Sequence, residues 1–201
     1  TFAVNSASPD ELTFTSKPGS SITAGNSADY QVTVKDQYGN QVDSPGITVG
    51  LNVDGDEVES QDFTSAQETI SWSSDDDPST KTAGEYTINA TSSAVSTNTS
   101  DHTLTVNSAS ASQITAYDTT DTATASDTET GTITVNAKDT YGNNVGSETI
   151  TVVDSNDIGS LTGLASGDTA NTNADGNATF SYDSETAGTY TVEFSITEGS
   201  T

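Results

Sequence analysis

Lys35-Asp36-Gln37-Tyr38-Gly39-Asn40 returns later in the chain as Lys138-Asp139-Thr140-Tyr141-Gly142-Asn143, a shift of 103 residues. Two further matches keep the same order. Thr1-Phe2-Ala3-Val4-Asn5-Ser6-Ala7-Ser8 pairs with Thr103-Leu104-Thr105-Val106-Asn107-Ser108-Ala109-Ser110, a shift of 102. Thr82-Ala83-Gly84-Glu85-Tyr86-Thr87 pairs with Thr186-Ala187-Gly188-Thr189-Tyr190-Thr191, a shift of 104. Collinear matches at a nearly constant offset mark a duplicated unit. A chain of 201 residues has room for two domains of about 100. The matches divide it into residues 6–107 and 108–201, joined at Asn107-Ser108-Ala109-Ser110, with residues 1–5 ahead of the first unit.

Within each unit the apolar period is two. Tyr30, Val32 and Val34 alternate with polar neighbours, as do Ile133, Val135 and Ala137 one unit later. Ile47, Val49, Leu51 and Val53 form the next run, answered by Ile150 and Val152. Ile70 and Trp72 are answered by Phe180 and Tyr182; Tyr86, Ile88 and Ala90 by Tyr190, Val192, Phe194 and Ile196. Such runs read as half-buried antiparallel strands, with the abundant Thr favouring strand on the outer face. Turn signals separate them at Tyr38-Gly39-Asn40, Tyr141-Gly142-Asn143, Asp175-Gly176-Asn177 and Glu198-Gly199-Ser200. No stretch sustains a 3.6 period. The fold class is all-β: two tandem antiparallel β-sandwiches.

The charge balance narrows the partners. Thirty acidic residues face four lysines (Lys17, Lys35, Lys81, Lys138) and no arginine, for a formal net charge of -26. A polyanion is a poor partner for a phosphate backbone, whose neutralisation needs Lys and Arg, so nucleic acid is excluded; anionic membrane surfaces are disfavoured likewise. In dilute buffer this self-repulsion opposes a compact state. In about 1 M salt the Debye length is roughly 3 Å and most of it is screened. The composition fits a salt-adapted organism. There is no cysteine, hence no disulfide and no thiol chemistry. No apolar run approaches the ~18 residues of a membrane span, so the segment itself is not expected to insert in a membrane.

With these residues placed, the chain resembles the bacterial immunoglobulin-like domains of the invasin/intimin type. That pattern runs strand, Asp-x-x-Gly-Asn, strand, then Asp-Gly-x-Ala-Thr and Ala-Gly-x-Tyr-Thr-Val. The first element is Asp36-Gln37-Tyr38-Gly39-Asn40 and again Asp139-Thr140-Tyr141-Gly142-Asn143. The second unit also spells Asp175-Gly176-Asn177-Ala178-Thr179 and Ala187-Gly188-Thr189-Tyr190-Thr191-Val192. The first unit departs from the pattern: Asp75-Asp76-Asp77-Pro78 is inserted before Ala83-Gly84, and no Asp-Gly turn immediately precedes Ile70. The resemblance implies immunoglobulin-like rods that hold a functional tip away from a cell surface, and no catalysis. Tyr86 and Tyr190, each just after a Gly turn, match the tyrosine corner of such sandwiches.

The chain is out of phase with its own repeat. The first unit ends on a strand, His102–Val106, that the second should echo after Ile196. Thr1–Asn5 resembles that very strand yet precedes the first unit. Two explanations stand: a segment of a longer array, or donation of Phe2, Ala3 and Val4 to the second unit of another copy. Strand addition satisfies an open edge through main-chain hydrogen bonds. The expected partners are thus other copies or neighbouring repeats of the same protein.

Catalysis has little to draw on. His102 is the one histidine, expected exposed on an edge strand; no Gly-x-Ser-x-Gly elbow and no phosphate loop occurs. No cofactor and no specific metal site are expected. Asp54-Gly55-Asp56-Glu57, Asp75-Asp76-Asp77 and Asp154-Ser155-Asn156-Asp157 cluster hard oxygens without the ligand spacing of a calcium loop. Three sequons occur, at Asn98, Asn89 and Asn177. Asn98, in a Ser/Thr-rich hairpin, is the strongest glycosylation candidate. The reading is a non-enzymatic structural repeat of an extracellular, cell-surface stalk or filament. The rival is an adhesin module that recognises a glycan or protein through its loops, with Tyr38, Tyr141 and Trp72 as its aromatic anchors.

Overall fold

A computed structural model of the chain describes residues 1–116, 124–153 and 161–197. Two compact units divide it, Thr1–Asn107 and Ser108–Thr201. The Glu198 turn signal and the Asp154–Asp157 cluster lie outside the described residues.

The first unit holds β1 (Pro9–Ser16), β2 (Ser21–Thr23), β3 (Ala28–Asp36), β4 (Ile47–Val53), β5 (Asp56–Phe63), β6 (Gln67–Trp72), β7 (Gly84–Thr91) and β8 (His102–Asn107). They form two sheets, β1-β3-β6 and β2-β8-β7-β4-β5. The alternation read from the sequence decides which face turns inward. Tyr30, Val32 and Val34 of β3 are buried, and so are Ile47, Val49, Leu51 and Val53 of β4 on the opposing sheet. Leu12, Phe63, Ile70, Trp72, Ile88, Ala90, Leu104 and Val106 are buried in the same core. Burial of one such side chain is worth roughly 1.5–3 kcal/mol, so a one-residue slip of any strand, which inverts its faces, is heavily disfavoured.

The second unit repeats the plan with β9 (Ala111–Ala116), β10 (Ser126–Asp139), β11 (Thr149–Val153), β12 (Thr169–Asn171), β13 (Asn177–Ser184) and β14 (Glu193–Thr197). Its sheets are β13-β10-β9 and β12-β11-β14. Val135, Ala137, Ile150, Val152, Ala178 and Phe180 form a separate core.

Both sandwiches are immunoglobulin-like. In the lettering of that fold, β1, β3 and β6 are A, B and E, and β8, β7, β4 and β5 are G, F, C and C′. The second unit gives E-B-A and C′-C-F. Among the described residues no strand lies beyond β14, where the first unit has β8.

One sequence expectation is corrected. β8 is not an edge strand: it pairs antiparallel with β7 and parallel with β2. His102 on it points inward, on the same face as Leu104 and Val106, and is buried at 9% exposure instead of facing solvent. Residues 1–5, expected to have no sheet of their own within the chain, are paired in none, and Phe2 and Val4 are 92% and 87% exposed.

Candidate functional site

The duplicated Asp-x-x-Gly-Asn element is a carboxylate clamp on the incoming chain. Asp36 ends β3 and is buried. Its Oδ2 accepts the backbone N–H of Ala7 at 2.9 Å, and its Oδ1 those of Tyr38 and Asn40, both at 2.9 Å. The Asn40 side-chain amide adds a contact at 3.1 Å. Asp139 does the same: Ala109 N–H to Oδ2 at 2.9 Å, Tyr141 and Asn143 N–H to Oδ1 at 2.8 and 2.9 Å, and Asn143 Nδ2 at 2.8 Å. Gly39 and Gly142 take φ of 83° and 88°, a backbone that side chains rarely adopt, which is why the turn needs glycine there.

Hydrogen bonds to a carboxylate favour its ionised form. The Ala7 N–H leads in holding Asp36 down to about 2; burial opposes it, and the Asn40 and Tyr38 donors assist. At Asp139 burial pushes upward, and the combined donors of Asn143, Ala109 and Tyr141 outweigh it, leaving the carboxyl below its ordinary range. Two of the repeated sequence blocks, Ser-Ala-Ser and Asp-x-x-Gly-Asn, therefore touch each other in each unit. Sequence reading found both blocks and missed the contact.

The tyrosine corners form as expected. Tyr86 Oη donates to the Thr82 carbonyl at 2.9 Å and Tyr190 Oη to the Thr186 carbonyl at 2.8 Å. Each ring lies over its glycine, within 3.5 Å of where a Cβ on Gly84 would stand and 3.4 Å for Gly188. The insertion that breaks the family pattern has a packing role. Trp72 is fully buried against Tyr86, ring centroids 4.9 Å apart, and its indole N–H donates to the Pro78 carbonyl at 2.7 Å. Trp72 is thus withdrawn as a surface anchor. Tyr38 and Tyr141 remain exposed, at 76% and 42%.

Buried His102 places Nδ1 3.1 Å from the Tyr30 hydroxyl. Burial, then the charge of Lys17, holds the imidazole below its ordinary value, and burial raises the Tyr30 hydroxyl. The pair bridges the two sheets inside the core.

The sequons differ in freedom. Asn89 is tied at both ends, accepting from Asn52 Nδ2 at 3.2 Å and donating to Asp101 at 3.0 Å. Asn177 accepts from Asn136 Nδ2 at 2.9 Å while its own N–H donates to Asn173 Oδ1. Asn98 is exposed between β7 and β8, with its Oδ1 accepting the Ser92 N–H at 2.9 Å. Among the described residues the acidic loops form no metal-holding group. Asp54 instead accepts the Thr87 N–H at 2.8 Å and Asp76 the Ser73 N–H at 2.6 Å.

The strand equivalent to β7 is shorter in the second unit. In the first unit, Gly84–Ile88 of β7 pair with β8 and only the later part of the strand pairs with β4. The equivalent residues Gly188–Val192 belong to no strand, and β14 begins only at Glu193, where pairing with β11 begins. Val192, Phe194 and Ile196 are half-buried, whereas Ile88 and Ala90 are fully buried. Among the described residues no strand pairs with Gly188–Val192.

A chain of two immunoglobulin-like sandwiches is defined by this geometry. No protein-family model and no curated protein sequence matches it. Among solved structures it is similar to the adhesin InvE of Yersinia pseudotuberculosis, at 17% identity and a TM-score of 0.43 over 87% of this chain and 51% of that one. It is similar to the adhesin FdeC of Escherichia coli, at 17% identity and 0.45 over 92% of this chain and 57% of that one. The D0-D1 domain of intimin matches at 20% identity and 0.36 over 90% of this chain and 87% of that one. A beta-glycosidase from Bacteroides vulgatus also matches, at 13% and 0.35, over 96% of this chain and 25% of that one. The chain spans about half the length of the two adhesins.

Proposed function

We propose that the chain is a non-enzymatic, load-bearing segment of an extracellular stalk or surface filament of a salt-adapted cell. The observation that carries the reading is the duplicated clamp: each sandwich has its own core and pins the chain entering it with a buried aspartate, Asp36 or Asp139. Such a unit is suited to serial repetition, because the orientation of the incoming chain is set inside each module. The outward face supports the reading as well. It is Thr-rich and acidic, with a net charge of -26 that brine screens and that keeps rods apart and hydrated. Its partners are other copies or neighbouring repeats, and an N-linked glycan on Asn98 adds to its hydrated coat.

Protease shaving of intact cells in high salt tests the location. The chain is expected among the released peptides, and immunogold labelling is expected along surface filaments. Retention of the whole population inside unbroken cells would sink the proposal.

A second reading rests on one observation. Tyr38 and Tyr141 occupy equivalent exposed turn positions and could contact a glycan or a protein through their rings. A glycan array separates the two: specific binding lost in a Tyr38→Ala/Tyr141→Ala chain favours the adhesin module.

A further inference from the structure

We propose that the short parallel pairing of β2 with β8 is the contact that bears tension in the first unit when the chain is pulled along its length. The proposal rests on the reading of the chain as a load-bearing module and names the part of the fold that carries the load.

The chain enters the first unit at one end of the sandwich and leaves it at the other. At the entry Ala7 is held by Asp36, and the N–H groups of Ser96 and Thr97 donate to the Asp10 carbonyl at 2.9 and 3.0 Å. Thr97 also bridges Glu11 in parallel, so the loop that leads into β8 lies where β1 begins. At the exit, Asn107 ends β8 opposite Thr23, which ends β2. Because β2 and β8 run parallel, a pull on the entering chain drags β2 towards its start, and a pull on the leaving chain drags β8 towards its end. The strands are forced to slide past each other. Their hydrogen bonds, evenly spaced as in any parallel pair, are then strained together. Strands drawn apart from one shared end part bond by bond, at lower force.

Three observations single out this ladder. It joins the entering side of the chain directly to the strand at the exit, whereas β1 pairs with β3 in the other sheet and meets the loop ahead of β8. It is longer than the three-residue strand suggests. Ser21, Ile22 and Thr23 lie opposite Thr105, Val106 and Asn107. The Thr105 N–H donates to the Ser20 carbonyl at 2.9 Å, and the Ala24 N–H to the Asn107 carbonyl at 2.7 Å. Past the ladder the Gly25 N–H donates to the Thr80 carbonyl at 3.0 Å, which anchors the far end of β2 against being dragged back. Finally, the ladder is shielded from water that would compete for its bonds: Val106 is buried, and Ile22 opposite it packs against the core.

Single-molecule force spectroscopy on the full chain tests the proposal, with cysteine handles that are unique because the chain has none of its own. Thr1→Cys/Ser110→Cys brackets the first unit and loads β2 and β8 in opposite directions. Thr1→Cys/Ser100→Cys loads them from their shared end. All three positions are exposed. In about 1 M salt, which screens self-repulsion, the first pair is expected to give a clearly higher unfolding force than the second. Equilibrium stability does not depend on where force is applied, whereas forced unfolding follows the unfolding barrier, so the difference reads the ladder as a mechanical element. Ala24→Pro deletes the donor to Asn107 and is expected to lower the force between positions 1 and 110 while leaving that between 1 and 100 near its value. Equal forces in the two geometries overturn the proposal whether or not Ala24→Pro folds; so does a folded Ala24→Pro chain that keeps the full force. Equal forces in a chain still shaved from the cell surface refute the ladder alone; a direction-dependent force in a chain that is never exposed refutes the surface reading alone.

Discussion

The backbone N–H of Ala109 donates to Asp139 Oδ2 at 2.9 Å, and that hydrogen bond ties the segment between the units to the β10 turn. Ala7 and Asp36 make the same bond at the same length. The pair explains why the Asp of this turn is written twice: a buried carboxylate with three main-chain donors and one side-chain amide is costly to replace.

Removing that carboxylate is therefore expected to weaken the second unit. Asp139→Ala leaves the N–H groups of Ala109, Tyr141 and Asn143 without their acceptor, at a cost of about 1.5–3 kcal/mol. Denaturant unfolding in constant high salt should show a lower midpoint with an unchanged slope. An unaltered midpoint would mean that the clamp does not stabilise the fold.

Acidification should act on the first unit through His102. Its folded-state pKa is lowered, by burial first and then by Lys17, so near its ordinary value of 6.5 the unfolded chain binds more protons than the folded one. Stability is then complete above pH 6.5 and falls as pH drops through the folded value. Melting of wild type against His102→Gln, from pH 8 to 5, should show the steeper loss in wild type. Parallel curves contradict it.

A second acid transition belongs to Asp36. Its carboxyl falls from 3.8 to about 2 on folding, led by the Ala7 N–H, so its contribution is present above 3.8 and is lost as pH falls towards 2. Protonation of the many surface carboxylates relieves repulsion and acts in the opposite sense. The difference between wild type and Asp36→Asn isolates the clamp, and it should shrink over that interval.

Loss of one corner hydroxyl is expected to be mild. Tyr86→Phe and Tyr190→Phe each delete a hydrogen bond to a carbonyl four residues back, worth about 0.5–1.5 kcal/mol, while keeping the ring over its glycine. Thermal melts should fall by a few degrees in each case; Tyr86→Ala, which also uncovers Trp72, should fall further.

Intact-mass measurement and glycopeptide mapping of native material should find Asn98 occupied and both Asn89 and Asn177 bare. Asn98 is the exposed one of the three; Asn89 and Asn177 are half-buried, and the Asn89 amide nitrogen is taken up by Asp101. Asn98→Gln should remove one glycan's mass. Occupancy at Asn89 would contradict the ranking.

Much of the fold was legible because alternation is a local signal. Tyr30, Val32 and Val34 name their inward face in three residues, and the repeat places the next sandwich without knowledge of either. The tyrosine corners were legible for the same reason: Gly-x-Tyr brings the ring over the glycine and the hydroxyl onto a carbonyl four residues away. His102 was misread: it faces inward with Leu104 and Val106 on β8, and its partner there is the Tyr30 hydroxyl of the opposing sheet, 72 residues away in sequence, which no local pattern announces. Trp72 was misread similarly: its N–H acceptor is the Pro78 carbonyl, inside an insertion that looked like an interruption.

From the order of residues alone came two sandwiches, their inward faces and their charge, since periodicity, duplication and composition are properties of the chain. Which distant groups meet was left to three dimensions: Asp139 with Ala109, Tyr30 with His102, and Trp72 with Pro78. Those contacts depend on how strands from separate parts of a unit stack and pair, and side-chain spacing along one strand carries no record of its neighbours.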